Sequence, residues 1–400
     1  MRNDPAQLLA DRVLAVEFLE ILSAYFGGAE GDRRGGAYFP RSDTFAVRVR
    51  VADERISELE LGPGADADIA GILRSKVQAA LLENQAPDRT KRIVFAGIPV
   101  AGAFYDEVTG VGLTALPAEA PRPPAFIGDH PLLIEVPFIS SPDPWISLHR
   151  QWRVLDEWTW ALNAILYHRL KTYHSHQAWY IAIDPLADPT PFKAQWGTEG
   201  YTWADFGSPI DWASASAMPM TPDDDYYARR GVSVGETLPL PASLSAHLQA
   251  FSRLASDERR RFLQAGHWLT AAIDLWGTHM GSWYIAQVAA IESIVHRREP
   301  PNPCPECGQE RLNQPTKRFK DFISRYVPGG GTRSALDDLY RVRSGLVHGS
   351  ALLHHDSPFG GGMLTFVTNE REPMDRLSRL VTISLVKWLE EAAERRGPEI

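Results

Sequence analysis

Near Leu238-Pro239-Leu240-Pro241 the spacing of apolar residues changes, and the change divides the chain. Downstream, apolar side chains recur every three or four positions. Phe262, Ala265, Leu269, Ile273 and Trp276 form one run, and Met280, Tyr284, Val288, Ile291 and Val295 the next. That is the period of a helix with one face turned to a core. Upstream, helical runs are interleaved with segments such as Thr44 to Val51, where apolar and polar side chains alternate as in a half-exposed strand. The sequence therefore predicts an α+β region over 1–238 and an all-α helical bundle over 239–400.

Punctuation sharpens the bundle. Ser243 and Ser256 are N-cap candidates, with Asp257 and Glu258 favourable in the first turn after Ser256. Gly277 and Gly281 break the next run, and Pro300-Pro301 end the one that follows. Thr316 to Tyr326 reads as a helix with Phe319, Phe322 and Ile323 inward. Pro328 and three glycines stop it, and Thr332 starts another. Pro373 opens a last helix with Leu377, Leu380, Leu385 and Trp388 on its inner side. The sum is about five helices in roughly 160 residues.

The N-terminal region reads as helices over Leu8 to Tyr25, Asp66 to Leu82 and Trp145 to Tyr173, and strands over 92–100, 132–139 and 178–183. Trp152, Trp158 and Trp160 are assigned to the core. Residues 184–238 are rich in Pro, Gly, Asp and aromatics, which fits an irregular segment pinned to a folded surface by its rings. Asp223-Asp224-Asp225 reads as a solvated turn. The region carries no Walker loop, dinucleotide fingerprint or GxSxG elbow.

The chain has 400 residues, enough for two or three domains. No run of about 18 apolar residues occurs, so no membrane span is expected. The N-terminus lacks an apolar signal core, and two cysteines cannot make a disulfide framework. A cytoplasmic setting is the expectation. The net charge of −9 excludes a generic basic coat. The charge is uneven, however. Residues 240–400 hold 20 Lys and Arg against 18 Asp and Glu, a net of +2, while the rest holds 21 against 32, a net of −11. Only the C-terminal part suits an approach to a polyanion.

One stretch there carries chemistry: Tyr340-Arg341-Val342-Arg343-Ser344-Gly345-Leu346-Val347-His348-Gly349. Arg binds phosphate oxygens as a planar fork, and His titrates near neutrality. RNA carries its own nucleophile in the 2′-OH. A site that removes that proton, stabilises the phosphorane and protonates the leaving 5′-oxygen cleaves RNA without a metal. General acid–base catalysis contributes about 10²–10⁴-fold to such a reaction. On a continuous helix Arg343 and His348 stand about 140° apart. Convergence then needs either unwinding after Gly345 or a second copy of the helix related by a two-fold axis, which would place two Arg and two His around one cleft. The alternative reading is a surface pair, with His348 complementing the helix dipole.

Other residues read less sharply. Glu292, among apolar neighbours, needs a partner, and Arg343 or Arg341 is the natural one; such a contact would orient the arginine. Lys317, Arg318, Lys320, Arg325 and Arg333 form a basic set suited to an RNA backbone or to a solvated helix face. Cys304-Pro305-Glu306-Cys307 is a CxxC knuckle that reads as free thiols, as half of a zinc site completed by a second copy or by His296 with His354 or His355, or as a redox pair. His354-His355-Asp356 reads as a loop or a second acid/base group.

The run Ala290-Ile291-Glu292-Ser293-Ile294, followed after a loop by Leu339-Tyr340 and the Arg343–His348 motif with Gly349, resembles an Apea-like HEPN domain. The resemblance covers about residues 240–396. It implies an all-helical fold, a homodimer, and a metal-independent endoribonuclease site composed across the dimer, in a superfamily frequent in prokaryotic defence and toxin–antitoxin systems. Carried over, Arg343 holds the scissile phosphate and His348 is the acid/base. Ser344 stands where many nuclease members carry Asn, Asp or His, and would position the phosphate or the histidine. Tyr340 belongs to the same motif. No cofactor is implied. The rival readings are a silent dimerisation or RNA- or partner-binding module, and a small-molecule enzyme housed in the N-terminal half.

Overall fold

The computed structural model describes residues 2–3, 15–26, 30–32, 36–41, 44–52, 55–62, 71, 75, 77–79, 85–117, 120, 130–172, 177–182, 193–198, 209–228, 236–276, 278–295, 315–353, 356 and 368–396. The chain is mixed α+β and groups into two compact units, Met1–Thr90 with Pro137–Val154, and Lys91–Val136 with Leu155–Ile400.

In the first unit, strands β1 (Arg2–Asn3), β2 (Glu30–Asp32), β3 (Gly36–Arg41), β4 (Thr44–Ala52) and β5 (Arg55–Leu61) form an antiparallel sheet in the order β1-β5-β4-β3-β2. The alternation in β4 sorts its faces as expected. Val47 and Val49 are buried, while Arg48 and Arg50 pair across the strand with Glu60 and Glu58. Helix α1 (Ala15–Phe26) buries Ala15, Phe18, Ile21 and Leu22 and contacts β3. Its buried Glu17 accepts a 2.6 Å bond from Arg150 Nε.

A four-stranded sheet in the order β6-β9-β8-β7 is built from β6 (Ala86–Ala96), β7 (Ala103–Asp106), β8 (Val111–Ala115) and β9 (His130–Ser140); all but residues 86–90 of β6 and 137–140 of β9 belong to the second unit. Helix α2 (Pro144–Ile165) also crosses the division. It ends at Ile165, eight residues short of the expected Tyr173. Tertiary pairing overrides the helical period there. Wholly buried Asn163 bonds both backbone groups of Leu170, at 2.6 and 2.9 Å, and Lys171 exchanges two 2.8 Å backbone bonds with Phe95. Trp158 is buried, but Trp152 is 51% exposed, which corrects its core assignment. Six positions apart, the two rings lie about 120° apart around the helix, enough to put Trp152 at the outer edge of the stripe.

Strands β10 (Gln177–Ala182) and β11 (Lys193–Thr198) pair antiparallel, and β12 (Met220–Thr221) and β13 (Leu240–Pro241) pair parallel. The acidic triplet forms the first turn of α3 (Asp223–Ala228), where carboxylates suit the dipole, and Asp223 accepts from the Ser243 amide. Trp212 pins its segment by stacking on Tyr105 and donating to buried Glu135 at 3.2 Å.

Six helices follow among the described residues: α4 (Leu244–Ser252), α5 (Ser256–Leu275), α6 (Met280–Val295), α7 (Pro315–Tyr326), α8 (Arg333–Val347) and α9 (Thr368–Glu394). Helix α6 touches α5, α7, α8 and α9, and ten of its residues are buried, so it is the hub rather than a one-faced surface helix. Thr332 caps α8 by accepting from the Ala335 amide. Ser256 is the first helical residue of α5 and Ala255 its cap, a shift of one position from expectation. Pro373 lies inside α9 rather than at its start. It has no N–H and so forgoes one helical bond near the helix's start. The expected helix over 66–82 lies mostly outside the described residues.

Candidate functional site

Helix α8 delivers the motif, and two contacts with α6 fix its position. The Tyr284 hydroxyl donates 2.8 Å to the Leu339 carbonyl, and the Tyr340 hydroxyl donates 2.9 Å to Glu292 Oε1. The other oxygen of that carboxylate, Oε2, accepts from Arg343 Nη2 at 2.9 Å. Of the two partners the sequence offered Glu292, the structure selects Arg343; Arg341 instead pairs with Asp338 on its own helix. The Arg343 guanidinium also lies 5.5 Å from the Tyr340 ring centroid, a cation–π distance. Its Nε is buried without a hydrogen-bond partner among the described residues. Burial first, then the bond to Glu292, pushes the Tyr340 hydroxyl up to about 12.

These side chains wall a cleft of about 170 Å³ between α6, α7 and α8. Glu292, Arg318, Tyr340 and Arg343 supply its polar wall, Ile291 and Phe319 its apolar one. Phe319, read from sequence only as core, is both buried and packed at 5.4 Å on the Tyr340 ring.

His348 does not line the cleft. Helix α8 continues through Val347 with His348 as its C-cap, and the His348 amide bonds the Ser344 carbonyl at 3.0 Å. The expected option of unwinding after Gly345 is therefore not taken. Gly349, at φ +66°, turns the chain instead. The Ser350 amide bonds the Gly345 carbonyl and the Gly349 amide bonds the Leu346 carbonyl, the Schellman arrangement. Gly345 serves close approach: a Cβ there would meet the Ala351 Cβ at 2.9 Å. His348 is exposed at the end of a regular helix, about 140° around the axis from Arg343. Ser344 is half-buried one position after Arg343.

The basic set divides. Lys320 pairs with Asp337 and Arg325 with Glu391, whereas Lys317 is exposed and Arg318 faces the cleft. Asp356, paired in sequence with two histidines, caps α6: its carboxylate accepts from the Met280 amide at 2.9 Å and the Gly281 amide at 2.6 Å. The sequence hid that role because cap and helix lie 75 residues apart. Cys304, Cys307, His296, His354 and His355 lie outside the described residues. Among the described residues no group of three or more His, Cys, Asp or Glu could hold a metal ion, and no helix is long and apolar enough to cross a membrane.

Comparison with protein-family models, curated proteins and solved structures returned no match.

Proposed function

We propose that the chain is a metal-independent endoribonuclease of the HEPN type, acting as a homodimer in a defence or toxin-like role. The α+β region 1–238 senses a signal or holds a partner, and the bundle 239–400 cuts RNA. The observation that carries this reading is the split of the motif. Arg343 stands in a cleft with one guanidinium edge on Glu292, while His348 is exposed around the same unbroken helix. A two-fold mate would bring a second His348 to face Arg343. Val347 and Leu352, flanking His348, are 47% and 70% exposed, apolar surface that a second copy would cover.

In this account Arg343 grips the scissile phosphate with its open edge. His348 of the second copy moves the proton of the 2′-OH or of the leaving 5′-oxygen. Glu292 and Tyr340 keep the guanidinium in place, and Ser344 supplies a hydroxyl beside it. Lys317, Arg318, Lys320 and Arg341 line the strand's approach. DNA lacks the 2′-OH and survives.

A specific observation favours the rival, a silent dimerisation or RNA- or partner-binding module: the Glu292 carboxylate already compensates the Arg343 charge. Incubation of RNA in EDTA separates the two. The nuclease reading predicts 2′,3′-cyclic phosphate ends, intact DNA, and loss of cleavage in Arg343→Ala and His348→Ala with fold and dimer preserved. A dimer that leaves RNA whole under all conditions supports the module.

A further inference from the structure

The cleft beside Arg343 holds more charge than a structural ion pair needs. Two guanidinium groups, Arg343 and Arg318, face one carboxylate, Glu292. Lys320, Arg325 and Arg341 each have an acidic partner, but Arg318 has no ion pair or side-chain hydrogen bond among the described residues. It is half-buried against the cleft rather than solvated freely. Among the described residues the site thus carries a surplus positive charge, aimed at a space of about 170 Å³. Pockets for drug-sized ligands run to about 300–1,000 Å³, so the space here is on the scale of one small group such as a phosphate. Two planar guanidinium forks suit a phosphate above all.

Glu292 touches Arg343 through a single nitrogen, Nη2, and holds Tyr340 with its other oxygen. An incoming phosphate would offer Arg343 a better-matched acceptor, while Glu292 kept its bond to Tyr340. We propose that this cleft is a phosphate-receiving subsite: Arg318 draws an RNA backbone phosphate onto Arg343, and Glu292 is the internal carboxylate that the phosphate displaces. The contact that positions Arg343 thereby also sets a threshold for binding. This rests on reading Arg343 as a phosphate ligand for RNA, but not on cleavage.

The test is binding of a 2′-O-methyl oligoribonucleotide, which lacks the free nucleophile, across a salt series, with cleavage of the matching RNA followed in parallel. Arg318→Gln should weaken binding about tenfold, the order expected on losing one charge-assisted contact. It should also flatten the slope of log K against log salt by about 0.7, the value for one phosphate on a single strand. Glu292→Gln, which removes the competing charge, should tighten binding several-fold. Unchanged affinity and slope in Arg318→Gln would overturn the proposal, and so would weaker binding by a Glu292→Gln protein whose melting temperature is unchanged. Absence of oligonucleotide binding by the unmodified protein would also overturn it. Because Arg318→Gln alters one side chain at the cleft edge, its result stands even if Glu292→Gln fails to fold. Binding that responds as expected while the matching RNA stays whole sinks the nuclease reading and leaves the subsite standing.

Discussion

Arg343 and Glu292 meet at 2.9 Å across 51 positions of sequence, and Glu292 is shared with Tyr340. Removing the carboxylate orphans both donors at once. Glu292→Ala should therefore destabilise the bundle by about 1–3 kcal/mol in denaturant unfolding. Tyr340→Phe should cost less in the Glu292→Ala background than in the unmodified chain, because its hydroxyl has then already lost the carboxylate it donates to. Strict additivity would contradict the shared contact.

The phenols predict an alkaline limit. Tyr340 is pushed up to about 12 by burial and its bond to Glu292, and Tyr326 to about 12 by burial and its contact with Glu391. Tyr227 and Tyr284 are raised as well, chiefly by burial. A phenol raised by folding holds its proton more tightly folded than unfolded. Its stabilisation is whole below the ordinary value of 10.0 and disappears as pH rises through the folded value. Unfolding free energy should fall steeply between pH 10 and 12, and Tyr340→Phe should shallow that slope.

The acid limit has a different origin. Buried His247 bonds Glu390 at 3.0 Å, tying α4 to α9, and this contact, assisted by Lys387, holds the Glu390 carboxyl below its ordinary 4.5 against the opposing effect of burial. A depressed carboxylate stabilises the fold above its ordinary value, and the effect is lost as pH falls through the folded one. His247→Ala should cost about 1–3 kcal/mol near neutrality. It should also reduce the loss of stability below pH 4.5, which acid titration of the variant measures directly.

Gly281 and Asp356 form a second coupled pair. A Cβ at Gly281 would lie 2.7 Å from Asp356 Oδ2, inside the bond that caps α6. Gly281→Ala and Asp356→Ala should each cost about 1–2 kcal/mol, the range of a lost cap. The double variant should cost little more than either alone. Thermal melts of the three proteins decide this.

Local rules made much of this molecule legible. The alternation of β4, the Thr332 cap and the restart of helix at Met280 each follow from a few adjacent residues. The Glu292–Arg343 pair was legible for another reason: a carboxylate among apolar neighbours demands a partner, and few cations stood within plausible reach. Illegible were features decided at long range. The end of α2 is set by Asn163 and Phe95, the cap of α6 by Asp356, and the cleft by the meeting of three helices. The period alone also could not show that Trp152 faces outward while Trp158 faces inward, since both fit one broad stripe.

The proposed composite site is tested most directly by mixing two variants, each expected to be silent alone. Arg343→Ala and His348→Ala should each fail to cleave RNA in EDTA. After subunit exchange, half the dimers pair one of each and bring one intact Arg343 and one intact His348 to the shared groove, so the mixture should recover cleavage that neither variant shows alone. Appreciable cleavage by either variant alone, or a mixture that exchanges subunits yet stays silent beside an active unmodified protein, would contradict the account.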